Sequence, residues 1–172
     1  TGSGGTVEVA HGVTVLATGG VEYRGDEYGY GSSPRIVTQQ QFEGLLAAGE
    51  NLPKSVVMIQ CVGPAERYCA RICCTSALKN ALVLKRLDPS VRITVIYRDM
   101  RVYGFKERLY TEARESGIIF LRYEAARKPT VSVDGNTVEV RAWEEILGKE
   151  MVLQPDLLVL STPVVPAPAT QE

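Results

Sequence analysis

Residues 56–61 read Val56-Val57-Met58-Ile59-Gln60-Cys61, an apolar run that ends in a glutamine and a cysteine. Such a run is typical of a β-strand covered on both faces, as the strands of a parallel sheet are. Apolar residues recur at helical spacing over 69–87, and Asp88-Pro89 predicts the end of that helix. Residues 91–97 predict a second buried strand. A strand, a helix and a strand in this order predict a parallel pair joined by a right-handed crossover.

The alternation of helix and strand continues along the chain. Residues 105–113 carry a second helical stripe that Gly117 ends, and residues 118–121 predict a third strand. Alternating valines on both sides of Asp134-Gly135-Asn136 predict an antiparallel insertion with a tight turn. We therefore predict an α/β fold, in which residues 53–155 form a Rossmann-like nucleotide-binding-type domain with a parallel sheet and a β-meander.

Two further regions enclose this domain. Alternating valines predict short strands near the N-terminus, the second over 13–18, and a glycine-rich loop follows. Thr38 and Gln41 predict a capping box at the start of a helix. The apolar run 156–162 predicts a last strand before a frayed, proline-rich tail. We predict three segments, 1–52, 53–155 and 156–172, with the strands 13–18 and 156–162 outside the sheet of the middle segment.

Composition excludes several classes of function. The 172 residues carry 19 Lys and Arg against 20 Asp and Glu, so the net charge of −1 gives no reason to expect nucleic acid or an anionic membrane as partner. A single histidine, His11, excludes His-rich metal sites and removes a part that most hydrolase mechanisms need. No apolar run is long enough for a membrane-spanning helix.

The cysteines carry the strongest chemical signal. Cys61, Cys69, Cys73 and Cys74 follow the spacing C-x7-C-x3-C-C, and all lie at a predicted strand end and at the start of the next helix. The carboxyl end of a parallel strand is where such sheets place functional groups, and a helix N-terminus stabilises thiolates. Clustered cysteines in a chain with no secretory signal favour a metal or redox site in a reducing compartment, and we expect the cytoplasm.

Four interpretations of these cysteines are open. Adjacent cysteines hold a single zinc ion awkwardly, whereas the neighbouring ligands of a cubane cluster can reach different iron atoms. An iron–sulfur cluster is therefore favoured. A thiol/disulfide redox centre, a zinc site and buried cysteines without a function are the alternatives.

The two enclosing regions add a resemblance. The predicted strand 13–18 ends in Ala17-Thr18-Gly19, and the strand 156–162 ends in Ser161-Thr162-Pro163. This arrangement resembles flavoproteins with two dinucleotide-binding domains, such as thioredoxin reductase, in which Ala-Thr-Gly ends a strand of the FAD-binding half. The resemblance implies that Thr18, Gly19 and Gly20 contact FAD and that the enclosing segments are remnants of an FAD-binding domain.

The cysteine region closely resembles the heterodisulfide reductase A family of flavoproteins. The similarity is carried by residues 56–63, 68–74 and 77–81, and it extends to 34–39, 97–104 and 156–161. It implies an oxidoreductase with a thioredoxin-reductase-like core that carries FAD and iron–sulfur clusters. One [4Fe–4S] cluster of the family is held by cysteines matching Cys61, Cys69, Cys73 and Cys74. The implied partners are the B- and C-type subunits of the reductase and an electron-donor protein.

The chain also departs from that family. The loop at Pro64-Ala65-Glu66 is shorter, Pro163 replaces a glycine, and the chain has neither a G-x-G-x-x-G nor a C-x2-C-x2-C motif. We therefore expect a fragment of a larger subunit that is inactive alone and keeps no FAD. The strands 13–18 and 156–162 should either pair with each other or form exposed edges that invite dimerisation. The alternatives are an NAD(P)H:disulfide oxidoreductase of the thioredoxin reductase type and a cofactor-free scaffold domain that binds partners.

Overall fold

The computed structural model describes residues 5, 7–15, 17–64, 68–69 and 71–167. The strands are β1 (Gly20–Glu22), β2 (Ile36–Thr38), β3 (Ser55–Ile59), β4 (Arg92–Tyr97), β5 (Ile119–Arg122), β6 (Thr130–Asp134), β7 (Thr137–Glu144), β8 (Lys149–Leu153), β9 (Leu157–Leu160) and β10 (Val164–Pro166). The α-helices are α1 (Gln39–Ala48), α2 (Ile72–Leu87) and α3 (Glu107–Glu115), and short 3₁₀ turns cover Glu27–Gly29 and Gly104–Lys106.

A five-stranded parallel sheet forms the centre of the molecule. Its order is β2-β9-β3-β4-β5, and every neighbouring pair is parallel. The chain moves from β3 through α2 to β4 and through α3 to β5, and then returns to the other side of β3 as β9. This reversal makes the carboxyl ends of β3 and β9 the topological switch point, where open α/β sheets bind their ligands.

The two faces of the sheet are covered differently. The three helices pack on one face, where Met58 and Val95 meet Phe42, Leu78 and Leu84 in one core. The antiparallel sheet β6-β7-β8 covers the other face, where Ile59 and Leu158 meet Val138 and Val140 in a second core. Apolar contacts on both faces explain the unbroken apolar runs of β3 and β9. The predicted α/β fold with a parallel sheet and a β-meander is confirmed.

Local features that the sequence predicts are present in the structure. The Thr38 hydroxyl accepts from the Gln41 N–H and the Gln41 side chain accepts from the Thr38 N–H, which completes the capping box of α1. Gly49 ends that helix in a left-handed conformation with a φ of 71°. Gly135, with a φ of 53°, allows the tight turn between β6 and β7.

The enclosing regions differ from the prediction. Among the described residues of 7–15 and 17–19 there is no strand, and Leu16 lies outside the described residues. Val7, Val9, Val13 and Val15 are 67–81% exposed, because no neighbouring strand covers them. Alternation alone therefore overstated these strands.

Two more differences concern the sheet and the tail. The strand 156–162 was predicted to lie outside the central sheet, but β9 lies inside it, between β2 and β3. The tail is also partly ordered, because β10 pairs antiparallel with β1 to form a two-stranded ribbon. Residues 168–172 lie outside the described residues, and the division into 1–52, 53–155 and 156–172 stays a prediction.

Candidate functional site

The four cysteines lie where β3 meets α2. Cys61 follows Gln60 directly after β3, while Cys73 and Cys74 occupy the first turn of α2. The helix begins at Ile72 rather than at residue 69, because Arg71 has a left-handed φ of 63° that helical residues do not adopt. Cys69 therefore precedes the helix, and of the three cysteines predicted at the helix start only Cys73 and Cys74 lie within it.

One cavity brings all four cysteines together. It has a volume of about 270 Å³ and is lined by all four cysteines. Gly20, Thr162, Pro163 and Val164 form the wall on the side of the β1–β10 ribbon. The side chains Gln39, Asp99 and Arg101 supply polar lining. The predicted cysteine site and the ends of the two enclosing segments thus meet at the switch point of the sheet.

The thiols influence one another electrostatically. The Cys73 thiol donates a hydrogen bond to Cys74. This hydrogen bond and burial raise the pKa of Cys73, and the charges of Cys61 and Cys69 raise it further. The same hydrogen bond, helped by the Arg101 backbone and charge, lowers the pKa of Cys74 despite its burial. Cys74 is 1% exposed, so its thiolate would depend on these donors rather than on water.

Cationic and polar groups of the loop after β4 border the thiols. An Arg101 Nη lies 3.8 Å from the Cys69 Sγ, and the Cys74 Sγ lies 3.8 Å from the Asp99 carbonyl oxygen. The Cys69 charge is the largest cause that raises the pKa of Arg101. Asp99 also pairs with Arg98 and Arg101 at 3.4 and 3.3 Å. The loop is therefore both a local ion-pair cluster and a wall of the cysteine cavity.

Cys61 is held in an unusual backbone conformation. Its φ of 60° lies in the left-handed region that few residues other than glycine adopt. The Tyr123 hydroxyl donates to the Gln60 carbonyl oxygen at 3.0 Å, which anchors the strand end just before this turn. Burial is the largest cause that raises the pKa of the Cys61 thiol. A strained, half-buried cysteine at the end of a parallel strand is typical of a functional position.

The donor set fits an iron–sulfur cluster in number and chemistry. Four thiols line one cavity, and an arginine and a helix N-terminus border it. Iron–sulfur clusters are held by thiolate ligands, which these cysteines could supply. Within the described residues, no group of three or more His, Cys, Asp or Glu side chains is already drawn together around one metal position. The cysteines share the cavity without forming a closed coordination shell.

Of the three predicted FAD-contact residues, only Gly20 lies in the wall of the cavity. Gly20 lines the cysteine cavity, and a Cβ at that position would lie 2.7 Å from the Val164 Cγ1 and 2.8 Å from the Val165 carbonyl oxygen. The absence of a side chain at Gly20 thus permits the close pairing of β1 with β10. Thr18 and Gly19 are exposed beside it, and Gly19 has a φ of 70°. Their role in binding FAD stays a prediction.

A buried polar network beside the cavity was not predicted from the sequence. The Gln39 Nε2 donates to the Ser161 Oγ at 3.0 Å, and the Asn80 Nδ2 donates to the Gln39 Oε1 at 2.9 Å. These three side chains are at most 6% exposed, and they join α1, α2 and the end of β9. The sequence carries no clear signal for this network, because Gln39 is one of three consecutive glutamines and Asn80 follows Lys79.

The fold is shared by solved monooxygenases and thioredoxin reductases. L-lysine 6-monooxygenase from Pseudomonas syringae superposes with a TM-score of 0.57 at 14% identity, over 85% of this chain and 44% of that one. Thioredoxin reductase of T. acidophilum gives a TM-score of 0.53 at 14% identity, over 86% and 43%. The chain therefore has the α/β fold of the thioredoxin reductase and monooxygenase class.

Sequence relatives narrow this class to one family. The A-type subunit of ferredoxin:CoB-CoM heterodisulfide reductase from Methanosarcina acetivorans is 30% identical over 213 residues, covering 96% of this chain and 26% of that protein. The iron-sulfur A-type subunit of CoB–CoM heterodisulfide reductase from Methanocaldococcus jannaschii is 34% identical over 164 residues, covering 83% and 24%. No family model matches the chain.

These matches confirm the predicted resemblance. The chain belongs to the heterodisulfide reductase A family and spans about a quarter of the length of these relatives. In the part of the chain that the structure describes, none of the helices has the length and apolar character needed to cross a membrane.

Proposed function

We propose that this chain is an electron-transfer segment of a heterodisulfide reductase A-type oxidoreductase, and that Cys61, Cys69, Cys73 and Cys74 ligate one [4Fe–4S] cluster. The observation that carries the proposal is the single cavity lined by all four thiols at the switch point of the sheet. When bound, such a cluster accepts and releases single electrons.

The chain's own residues prepare this site in three ways. The N-terminus of α2 carries a partial positive charge that would stabilise Cys73 and Cys74 as thiolate ligands. Arg101 supplies a full positive charge beside Cys69, which offsets the charge that four thiolates would gather. The Gln39–Asn80–Ser161 network fixes α2 against α1 and β9, so that the cysteine-bearing turn is held at a constant distance from the strand ends.

The proposal extends to FAD, partners and location. The parent subunit would bind FAD with Thr18, Gly19 and Gly20 at one edge, and this chain alone would not retain it, because it has no G-x-G-x-x-G motif. The partners would be the B- and C-type subunits of the reductase and an electron-donor protein. Four unpaired cysteines suit a reducing compartment, so we place the parent subunit in the cytoplasm.

Anaerobic reconstitution tests the cluster. We expect about four iron and four sulfide per chain, with a broad absorption near 400 nm that dithionite bleaches. Cys73→Ser should lose most of this content. Ser132→Cys is the matched control, since it adds an exposed thiol on β6, far from the cavity, and should leave the iron content unchanged.

Two results would contradict the proposal. One is an iron content near zero in the unmutated chain after reconstitution under strict exclusion of air, which would otherwise oxidise the thiols. The other is an iron content in Cys73→Ser equal to that of the unmutated chain. Zinc measured in the same samples reports on the competing metal.

A thiol/disulfide centre is the second candidate. It is favoured by the four free thiols that line one cavity and by the lowered pKa of Cys74. Neighbouring Cα atoms lie about 3.8 Å apart, below the usual range of about 4.4–6.8 Å for disulfides, so a disulfide would have to join non-adjacent cysteines. Peptide mapping after equilibration with glutathione would identify such a bond, and a uniformly reduced chain would exclude this candidate.

A further inference from the structure

An exposed surface of unusual composition lies beside the cysteine cavity. It consists of Arg71, Ile72, Arg101, Tyr103, Phe105 and Lys106, and we call it the basic–aromatic surface. Phe105 is 99% exposed, Tyr103 is 59% exposed and Ile72 is 56% exposed. Three large apolar side chains in one small area of a protein surface indicate an interaction site more often than isolated exposed residues do.

The charged side chains of this surface are all cationic, and one of them, Arg101, is paired with Asp99. Its central hollow of about 510 Å³ is bordered by Arg71, Arg101 and Lys106, and none of the described residues that line it carries a carboxylate. The Arg71 guanidinium lies 5.6 Å from the centroid of the Tyr103 ring and donates to the Tyr103 hydroxyl. Arg71 and Tyr103 are therefore held in place before any partner arrives, which reduces the entropy lost on binding.

The basic–aromatic surface is continuous with the cysteine site. Ile72, Ser76 and Arg101 line both the hollow and the cysteine cavity. Arg101 reaches the Cys69 sulfur with one nitrogen and the Asp99 carboxylate with another. A protein bound to this surface would contact residues that border the thiols directly.

We propose that the basic–aromatic surface docks a small acidic electron-carrier protein next to the cysteine site. This inference rests on the proposed function, since the carrier would serve the redox group held by the four cysteines. The cations provide charge complementarity and orient the encounter, whereas Phe105 and Tyr103 supply the desolvated centre at which aromatic residues and arginine dominate affinity.

The test measures binding rather than turnover, with an acidic plant-type [2Fe–2S] ferredoxin as the probe. Calorimetric titration at low ionic strength should give a dissociation constant in the micromolar range that weakens as salt is added. Lys106→Glu and Phe105→Ala should each weaken binding about tenfold. Their matched controls, Arg92→Glu at the opposite end of the sheet and Ile146→Ala, 93% exposed near the β7–β8 turn, should bind as the unmutated chain does.

The outcomes separate this inference from the proposed function, because binding is measured on the chain both before and after reconstitution with iron. A chain that takes up iron but does not bind the ferredoxin overturns only the docking surface. A chain that binds the ferredoxin through Lys106 and Phe105 but takes up no iron overturns only the cluster.

Three other results also contradict the docking surface. Equal binding of a basic cytochrome c would show that charge does not select the partner. An equal loss of ferredoxin binding in the matched controls would show that Lys106 and Phe105 make no specific contribution. A longer parent subunit whose ferredoxin binding is unaffected by both variants would show that the surface contacts another part of the same protein. Circular dichroism on every variant excludes misfolding as the cause of a loss.

Discussion

The two ends of β3 are built in opposite ways. At the amino end, the Lys54 and Ser55 N–H groups both donate to one carboxylate oxygen of Asp156 at 2.9 Å. In return, the Asp156 N–H donates to the Ser55 hydroxyl at 2.9 Å. Each of these polar groups has a near partner, and none of Lys54, Ser55 and Asp156 has a positive φ. This end fastens β9 to β3 and contains nothing reactive.

At the carboxyl end the same strand runs into unusual geometry. The Gln60 side chain is fully buried, and neither its amide nitrogen nor its carbonyl oxygen has a hydrogen-bond partner among the described residues. Cys61 and Arg71 have left-handed backbones, burial raises the pKa of Cys61, and the hydrogen bond from Cys73 lowers the pKa of Cys74. Unfavourable features of this kind persist where function requires them, so the contrast identifies the functional end of the sheet without reference to any relative.

The largest expected effect is on the affinity of the chain for nicotinamide dinucleotides. In dinucleotide-binding domains, the turn after the first strand brings glycine backbone close to the pyrophosphate. Here a Cβ at Gly63, with its φ of 65°, would clash with the Tyr23 ring, whose hydroxyl donates to Glu27 at 2.9 Å. A ring and a carboxylate thus border the backbone that the phosphates would approach.

We therefore expect NADH and NADPH to bind more weakly than about 1 mM, about 4 kcal/mol short of a micromolar site. Calorimetric titration measures this. Replacing Tyr23 by Ala and Glu27 by Gln in one chain should improve binding only slightly, because Pro64 and the cysteines remain. A dissociation constant in the low micromolar range for the unmutated chain would favour the thioredoxin reductase-type alternative.

The sequence predicts the elements that depend on local rules, but it does not predict those that depend on contacts elsewhere in the fold. Apolar runs, the Thr38–Gln41 capping box and the Asp134-Gly135-Asn136 turn are local rules, and the elements they predict are present. The strand predicted at 13–18 is absent from its described residues, because a strand also needs a partner, which alternation does not report. The cysteines were found from their spacing, but the left-handed Arg71 that shortens α2 carries no sequence signal.

The next largest effect is expected on the free energy of unfolding, when the hydrogen-bonded Gln39–Asn80–Ser161 network beside the cavity is broken. Asn80 is 1% exposed, and its loss in Asn80→Ala would leave the Gln39 Oε1 without its donor in a buried site. We expect the free energy of unfolding to fall by about 2–3 kcal/mol. Urea unfolding of Asn80→Ala, Gln39→Ala and the double variant forms a cycle in which the double loss should be smaller than the sum. Strict additivity would show that the two side chains do not act together.

A smaller effect of opposite sign should appear at Gln60. Replacing this buried amide by an apolar side chain of similar size, in Gln60→Leu, removes two groups that lack partners among the described residues. We expect the free energy of unfolding to rise by about 1 kcal/mol, measured by urea unfolding. Gln39→Leu is the matched control and should lower it, because the Gln39 amide is bonded. A clear loss of stability in Gln60→Leu would mean that its amide has a partner, and the contrast between the two ends of β3 would weaken.

The smallest effect belongs to the amino end, where Asp88 after α2 pairs with Lys54 at 2.8 Å and accepts from the Ser90 N–H and hydroxyl. The Lys54 hydrogen bond, followed by those from Ser90, lowers the pKa of Asp88 from 3.8 to about 2. A carboxylate whose pKa is lower in the folded state stabilises the fold above the unfolded-state pKa and loses that contribution as the pH falls. The free energy of unfolding should therefore decline slightly between pH 4 and 2, since the pair is exposed and screened by salt.

Urea unfolding at several pH values should show a shallower decline in Asp88→Asn, and Lys54→Met should reduce the decline in part. Parallel profiles for Asp88→Asn and the unmutated chain would mean that Asp88 keeps an ordinary pKa, and that the amino end is stabilised by Asp156 alone.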